Sequence, residues 1–182
     1  MSRSGPEPRE GASQLRQALA EAGARTANDS GESHDGDAEF VYFTIHDQLY
    51  ALPTTQVSAI LAVPSLTELP HAPAHLCGVL SHQGRIVAVV DVAILDGREP
   101  VTGAKRILIV DGAGLDAGIR VSGVIELARV SASAIEPVSA SLSPPDHVVG
   151  QLRRGDSVCF VMDAGLLLER VRQRVVAAGV AR

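Results

Sequence analysis

The sequence contains few aromatic residues and no tryptophan. Aromatic residues make up 3% of the chain, whereas hydrophobic residues of all kinds make up 46%. A core must therefore be built mainly from Val, Leu, Ile and Ala. The β-branched residues in this set favour strands, because their side chains are restricted at χ1 and pack well on a pleated surface.

Cysteine is also scarce, and long apolar runs are absent. The two cysteines, Cys77 and Cys159, each lie in a short apolar run. This usage is typical of buried small side chains in a reducing compartment, so we expect no disulfide. No run approaches the length of a membrane span, and the N-terminus lacks the apolar segment of a secretory signal. We therefore expect a cytoplasmic protein that does not insert into a membrane.

Catalytic and cofactor motifs are missing as well. There is no Gly-x-Ser-x-Gly elbow, no Walker lysine and no His-Glu-x-x-His. Residues 111–114 contain two glycines after a predicted strand, but no third glycine and no helix follow, so we expect a β-turn. Asp91 and Asp163 each follow an apolar strand and could form an acid–base pair. Both also occupy helix N-cap positions, and we interpret them as caps. The sequence predicts no catalytic residue and no cofactor.

Four potential metal ligands lie close together in the sequence, at His71, His75, Cys77 and His82. Their spacing matches no compact zinc pattern. We interpret the histidines as surface residues of loops and predict no metal site.

The formal net charge of −5 argues against nucleic-acid binding, because the chain should on average repel phosphate. Residues 170–182 carry four Arg and no acidic residue. We interpret them as a helix end, where cations complement the helix dipole.

The charge and hydropathy pattern divides the chain into three parts. Residues 1–38 are rich in Gly, Ser, Asp and Glu and are predicted to be a disordered or partly helical tail. Within this tail a short helix is possible at 13–22, since Leu15 and Leu19 recur at helical spacing. Residues 39–172 are predicted to form one domain, and 173–182 a helix end or tail.

About ten short strands are predicted inside the domain, with order beginning at Phe40. Turn signals recur every eight to twelve residues, and no long helical crossover separates the strands. Gly84 supplies the positive φ that a tight hairpin turn needs. A short helix is expected after Asp91 and a longer one after Asp163. This pattern predicts an all-β barrel or sandwich.

Several segments of the domain resemble the CheW family of bacterial chemosensory coupling proteins. Two hallmarks of that family are a Tyr-Ala-Leu-Pro segment and a turn that ends in Gly and is followed by a Val-x-Val-Val-Asp strand. The matching segments, in chain order, are 50–53 (Tyr-Ala-Leu-Pro), 57–60 (Val-Ser-Ala-Ile), 69–73 (Leu-Pro-His-Ala-Pro), 78–84 (Gly-Val-Leu-Ser-His-Gln-Gly), 87–92 (Val-Ala-Val-Val-Asp-Val) and a late element from Gly150 to Leu168. Their order and spacing cover residues 39 to about 172.

The resemblance implies two intertwined, small five-stranded SH3-like β-barrels, with short helices and a C-terminal helix. It also implies a non-catalytic adaptor that links a methyl-accepting chemoreceptor to the regulatory domain of a CheA-type histidine kinase. Partner-binding positions carried over from the family lie in the third strand, in the turn before the fifth strand and near a later strand end. They are Val57, Ala59, Ile60, Leu61, Gln83, Gly84 and Val121.

Three positions depart from the family pattern. The Glu often found in the third strand is Ala59, and the Arg of the turn is Gln83. An Asp common in a later strand corresponds to Ser122. These interface positions lack the charges that are usual in the family. The resemblance therefore supports the predicted fold more strongly than it supports the predicted partner. Two alternatives stay open at this point: an interaction module with a different partner or a lattice-filling role, and a small-ligand-binding β-barrel.

Overall fold

Ten short strands, most of them joined by tight turns, form half of the described chain. The computed structural model describes residues 37–112, 114–139 and 142–179. The strands are β1 (Asp37–Ile45), β2 (Gln48–Pro53), β3 (Val57–Ala62), β4 (Leu76–His82), β5 (Arg85–Val90), β6 (Arg106–Gly112), β7 (Leu115–Val121), β8 (Gly123–Ser131), β9 (Val148–Arg154) and β10 (Ser157–Met162). The helices are α1 (Val92–Leu95) and α2 (Ala164–Ala177), with 3-10 turns at Thr54–Gln56 and Ala132–Ala134.

The strands form two five-stranded sheets. The first sheet has the order β8-β1-β2-β10-β9, and the second sheet has the order β3-β6-β7-β5-β4. All neighbours are antiparallel except β2 with β10 and β5 with β7. The all-β class and the two five-stranded units are confirmed, whereas closure of either sheet into a barrel stays a prediction. No helix in the described residues is both long and apolar enough to cross a membrane.

The ends of the domain differ slightly from the prediction. Strand β1 begins at Asp37, three residues before Phe40, because Asp37 pairs with Ser131 at the end of β8. The helix predicted at 13–22 lies outside the described residues. At the other end, α2 continues to Ala177.

The second sheet repeats the design of the first. Strands β3, β6, β7, β5 and β4 follow the same order and directions as β8, β1, β2, β10 and β9. Even the irregularities correspond, since the ladder skips one residue between Val57 and Ala59 in β3 and between Val124 and Glu126 in β8. The two halves are therefore related by an internal structural repeat.

Glycine is needed at one equivalent position in each half. A Cβ on Gly78 would lie 2.6 Å from the Thr67 carbonyl oxygen, and one on Gly150 would lie 2.6 Å from Ile135 Cγ2. At each place a neighbouring segment comes close to the outer strand and forms an isolated β-bridge. These bridges cover part of the free edges of β4 and β9, which would otherwise expose unpaired backbone groups.

The largest core lies between the two sheets, and each sheet has a smaller core on its other face. The central core combines residues such as Phe43 and Leu52 of the first sheet with Leu108 and Ile119 of the second. All five aromatic residues of the sequence belong to the first sheet, namely Phe40, Tyr42, Phe43, Tyr50 and Phe160. The buried members of the smaller second-sheet core are all aliphatic, namely Leu80, Val87, Val89, Ile107 and Ile109.

Candidate functional site

Strand β3 is an edge strand that carries four of the predicted partner-binding residues. It pairs with β6 on one side only. Val57 packs against the central core, whereas Ala59 and Leu61 pack against the second-sheet core. The bulge between Val57 and Ala59 adds one residue to β3. Side chains beyond the bulge therefore point to the opposite face of the sheet from the one that simple alternation would give them. Of the four residues, Ile60 is the one turned to solvent, with 40% of its surface exposed.

The turn between β4 and β5 carries two further predicted residues. Gln83 has φ 51° and Gly84 has φ 77°, so both central positions of this two-residue turn are left-handed. Such turns match the twist of the flanking strands and usually contain Asn-Gly or Gly-Gly. Gln83 is therefore held in a conformation that its side chain does not favour, at an exposed tip.

An open groove, which we call the second-sheet mouth, joins this turn to β3. It lies at the end of the second-sheet core and is lined by Ser58, His82, Gln83, Arg85, Val87, Ile109, Asp111 and Asp116. Arg85 and Asp116 form an ion pair of 2.5 Å across it. Ser58 belongs to β3, and its hydroxyl donates to the Ile109 carbonyl oxygen at 3.2 Å. Of the predicted partner-binding residues, Gln83 lines this groove, and β3 contributes Ser58 to it rather than the four predicted residues.

Val121 does not belong to this surface. Its side chain is completely buried in the central core. Strand β7 has neighbours on both sides, β6 and β5, so neither edge is free. The prediction that Val121 binds a partner is therefore corrected, and we assign this residue to packing.

The two candidate acid–base carboxylates cap helices. Asp91 is fully buried and accepts hydrogen bonds from the backbone N–H groups of Ala93 at 3.0 Å and Val101 at 2.8 Å. Asp163 accepts from the Leu166 N–H at 2.8 Å and from the Gln56 amide at 2.9 Å. Both carboxylates are satisfied by structural donors, which accounts for their positions without a catalytic role.

His75 is buried, with 7% of its surface exposed, so its interpretation as a surface residue of a loop is wrong. Its carbonyl oxygen accepts a hydrogen bond from the Asp91 N–H at 2.8 Å, which holds the chain at the start of β4 against the start of α1. Burial lowers the pKa of His75, and the nearby Arg174 lowers it further. No group of three or more His, Cys, Asp or Glu side chains suited to a metal ion occurs in the part of the chain that the structure describes.

The two thiols are free and poorly suited to act as nucleophiles. Burial raises the pKa of Cys159 to about 12. Burial also raises the pKa of Cys77, although a hydrogen bond from Arg120 at 3.6 Å opposes this effect. Because the thiolate is the reactive form, both groups are largely unreactive at neutral pH.

Sequence reasoning missed a buried polar cluster between the two sheets. The Asp96 carboxylate, with 5% of the side chain exposed, lies 3.4 Å from Arg170, 3.5 Å from His147 and 4.0 Å from Arg98. Arg98 also donates to the Tyr50 hydroxyl at 3.1 Å. The cluster connects the end of α1 with α2, with β2 and with the start of β9.

A repeated sequence pattern would have pointed to His147. The segments 73–75 and 145–147 both read Pro-x-His, and an Asp follows each His after sixteen residues. The His147 carbonyl oxygen accepts from the Asp163 N–H at 2.9 Å, as His75 does from Asp91. The repeat therefore marks an equivalent backbone contact in each half of the fold.

Comparison with protein families and solved structures decides the assignment. A family model for the CheW-like domain matches residues 39–172. The chain belongs to the CheW-like domain family. Proteins of this family are non-catalytic chemotaxis adaptors, and the chain is of this class.

Several CheW-like relatives span most of the chain. Protein FrzA of Myxococcus xanthus is 29% identical over 152 residues, which are 78% of this chain and 91% of FrzA. The chemotaxis protein CheW of Helicobacter pylori is 24% identical over 148 residues, covering 80% of this chain and 90% of that protein. The crystal structure of the scaffolding protein TtCheW from Thermoanaerobacter tengcongensis matches with a TM-score of 0.68 and 24% identity, over 77% of this chain and 93% of that one. At this identity the structural likeness establishes the fold.

Proposed function

We propose that this CheW-like protein couples a methyl-accepting chemoreceptor to the regulatory domain of a CheA-type histidine kinase in a cytoplasmic signalling array. The observation that carries the proposal is the second-sheet mouth, where β3 and the Gln83–Gly84 turn meet. The resemblance to CheW proteins had singled out both segments separately. Their convergence on one open surface supports a common binding role.

The chemistry of this surface suits protein binding. Ile60 of β3 and Ile86 of β5 expose 40% and 81% of their surfaces, and the Arg85–Asp116 pair adds polar groups on the lining of the mouth. Exposed apolar side chains surrounded by polar groups are typical of protein–protein contacts. A strand edge beside such a surface can also pair with a segment of a partner.

The neutral residues Ala59 and Gln83 change this surface from the usual family pattern. A lost charged hydrogen bond at an interface can cost roughly 2–5 kcal/mol. We therefore propose that the chain recognises a kinase or receptor whose contact surface differs from that of the common family members.

Calorimetric titration of the full chain against the regulatory domain of the host's CheA-type kinase tests the proposal. We expect micromolar binding that is weakened at least tenfold by Ile60→Lys, because a charge would replace an exposed apolar side chain of the edge strand β3. The matched control is Ile125→Lys, which changes another exposed isoleucine, with 52% of its surface exposed, in β8 of the first sheet. Absence of binding by the folded wild-type chain would refute coupling to that kinase. Binding without an effect on receptor-controlled kinase activity would instead support a lattice-filling role.

A further inference from the structure

The internal repeat gives the second-sheet mouth a counterpart in the first sheet. Strand registers make Tyr42 equivalent to Ile109, because each lies in the second strand of its sheet at the same place beside the bulge. Glu126 pairs with Tyr42, as Ala59 pairs with Ile109. We call the region around Tyr42 and Glu126 the first-sheet mouth.

The chain itself closes the first-sheet mouth with an arginine. Arg154, at the end of β9, forms an ion pair with Glu126. Its guanidinium carbon also lies 5.0 Å from the centroid of the Tyr42 ring, within the range of a cation–π contact. In the first-sheet mouth, the Arg154 guanidinium therefore lies between the Glu126 carboxylate and the Tyr42 ring.

The second-sheet mouth has no cation at the position equivalent to Arg154, although the Arg85–Asp116 ion pair also lies on its lining. The residue equivalent to Arg154 is His82, since each is the last residue of its strand before the two-residue turn. The residue opposite, Ala59, has no carboxylate to offer a cation. Negative charge is instead supplied by Asp111 on the lining, and Asp111 forms no ion pair with any other described residue.

We propose that the second-sheet mouth receives an arginine or lysine side chain from the protein partner, which pairs with Asp111 and takes the place that Arg154 occupies in the first sheet. This inference rests on the proposed function, because it names the chemistry of the partner at the same surface. On this proposal the two halves of the repeated fold differ at one place: the first sheet supplies its own cation, Arg154, whereas the second sheet leaves the equivalent place for a partner.

Charge removal at the mouth provides the first test, by titration of full-length variants with the kinase regulatory domain. Asp111→Asn should lower the affinity about fivefold and reduce its dependence on salt, because one partly exposed ion pair is lost. The control Asp156→Asn removes an exposed acidic residue from the turn of the first sheet and should leave the affinity unchanged. Equal effects of the two variants would overturn the proposal.

Closing the mouth from within provides the second test. The double variant Ala59→Glu, His82→Arg transfers the Glu126–Arg154 pair to the second sheet and should weaken kinase binding at least tenfold. Its melting temperature should exceed the value expected from adding the two single changes, since the new side chains are placed to interact. Unchanged kinase binding by a folded double variant would overturn the proposal.

A small probe separates this inference from the proposed function. Titration with N-acetylarginine amide, followed by amide NMR shifts, should perturb Ile109, Asp111 and Gln83 in the wild type but not in the double variant. The neutral analogue N-acetylcitrulline amide serves as the matched control and should cause no such shifts. If the kinase does not bind while the arginine probe does, the proposed function fails and the cation site stands. If the kinase binds but the arginine probe causes no shifts above those of the citrulline analogue, the cation site fails and the coupling function stands.

Discussion

Removing the Asp91 carboxylate should be among the most destabilising single changes in the domain. This buried side chain caps α1 through Ala93 and also holds Val101, whose own side chain is 2% exposed and packs in the central core. In Asp91→Ala, two buried N–H groups lose their acceptor. Each unsatisfied buried donor costs about 1–3 kcal/mol, so we expect a loss of about 3–5 kcal/mol.

The equivalent residue in the other half of the repeat supplies the control. Asp163 is half-buried, and its partner Gln56 also accepts a hydrogen bond from the Ala164 N–H at 2.9 Å, so part of the cap remains when Asp163 is removed. Asp163→Ala should therefore cost about 1 kcal/mol, as an ordinary N-cap does. Asp91→Asn keeps an acceptor oxygen and should recover a substantial part of the loss.

Urea denaturation followed by circular dichroism measures these differences as free energies of unfolding. At a few degrees per kcal/mol, the melting temperature of Asp91→Ala should fall by about 10 °C or more. The reasoning would be refuted if Asp91→Ala lost less than about 1.5 kcal/mol or no more than Asp163→Ala. Such a result would mean that the loop containing Val101 finds another acceptor without cost.

Three further changes test packing, the buried charge cluster and the buried thiol. Gly118→Ala should lower the free energy of unfolding by about 1–3 kcal/mol, because the new Cβ would lie 2.8 Å from a side-chain carbon of the core. Gly123→Ala should be neutral in the same denaturation assay, because the nearest atom to its new Cβ is the Thr44 hydroxyl oxygen at 4.0 Å, and equal values would contradict the packing argument. Asp96→Ala should cost about 3 kcal/mol, because Arg170 and Arg98 stay behind without it, and a loss below 1 kcal/mol would show that these two arginines are accommodated by water. Stability measured from pH 8 to 11 should fall more steeply in the wild type than in Cys159→Ala. The pKa of the Cys159 thiol in the folded protein is about 12, above the usual value of 9.0. The stability that the protonated thiol contributes is therefore complete below pH 9 and is lost as the pH rises towards 12. Parallel curves for the two proteins would contradict this assignment.

Local patterns predicted most of the elements but not their arrangement. The strand from Arg85 to Val90, the short helix after Asp91 and the strand from Ser157 to Met162 follow from apolar runs bounded by turns and caps. The neighbours of a strand depend on contacts far apart in the sequence. The parallel pairing of Leu49 with Cys159, for example, joins the beginning and the end of the domain and leaves no local signal.

In the candidate site, too, local sequence indicated some of the residues but not their arrangement. Gly84 was recognisable because a tight turn requires particular residues, whereas Gln83 was included because the family resemblance has a partner-binding Arg at this position. The groove that Gln83 shares with Ser58 and Asp111 depends on tertiary structure. Val121 was misplaced because it was carried over from the resemblance, which does not indicate how deeply a residue is buried in this chain.

The uneven distribution of aromatic residues makes the first sheet spectroscopically distinct. Tyr50 lies 5.9 Å from Phe43 and 6.0 Å from Phe160, and the other tyrosine, Tyr42, is in the same sheet. Tyrosine fluorescence and near-ultraviolet dichroism therefore report on the first sheet and on the central core that it shares with the second sheet, whereas the second-sheet core at the mouth contains no aromatic residue to give a signal. A comparison of tyrosine fluorescence with far-ultraviolet dichroism during unfolding would thus reveal, without any added label, whether the two halves lose their structure together.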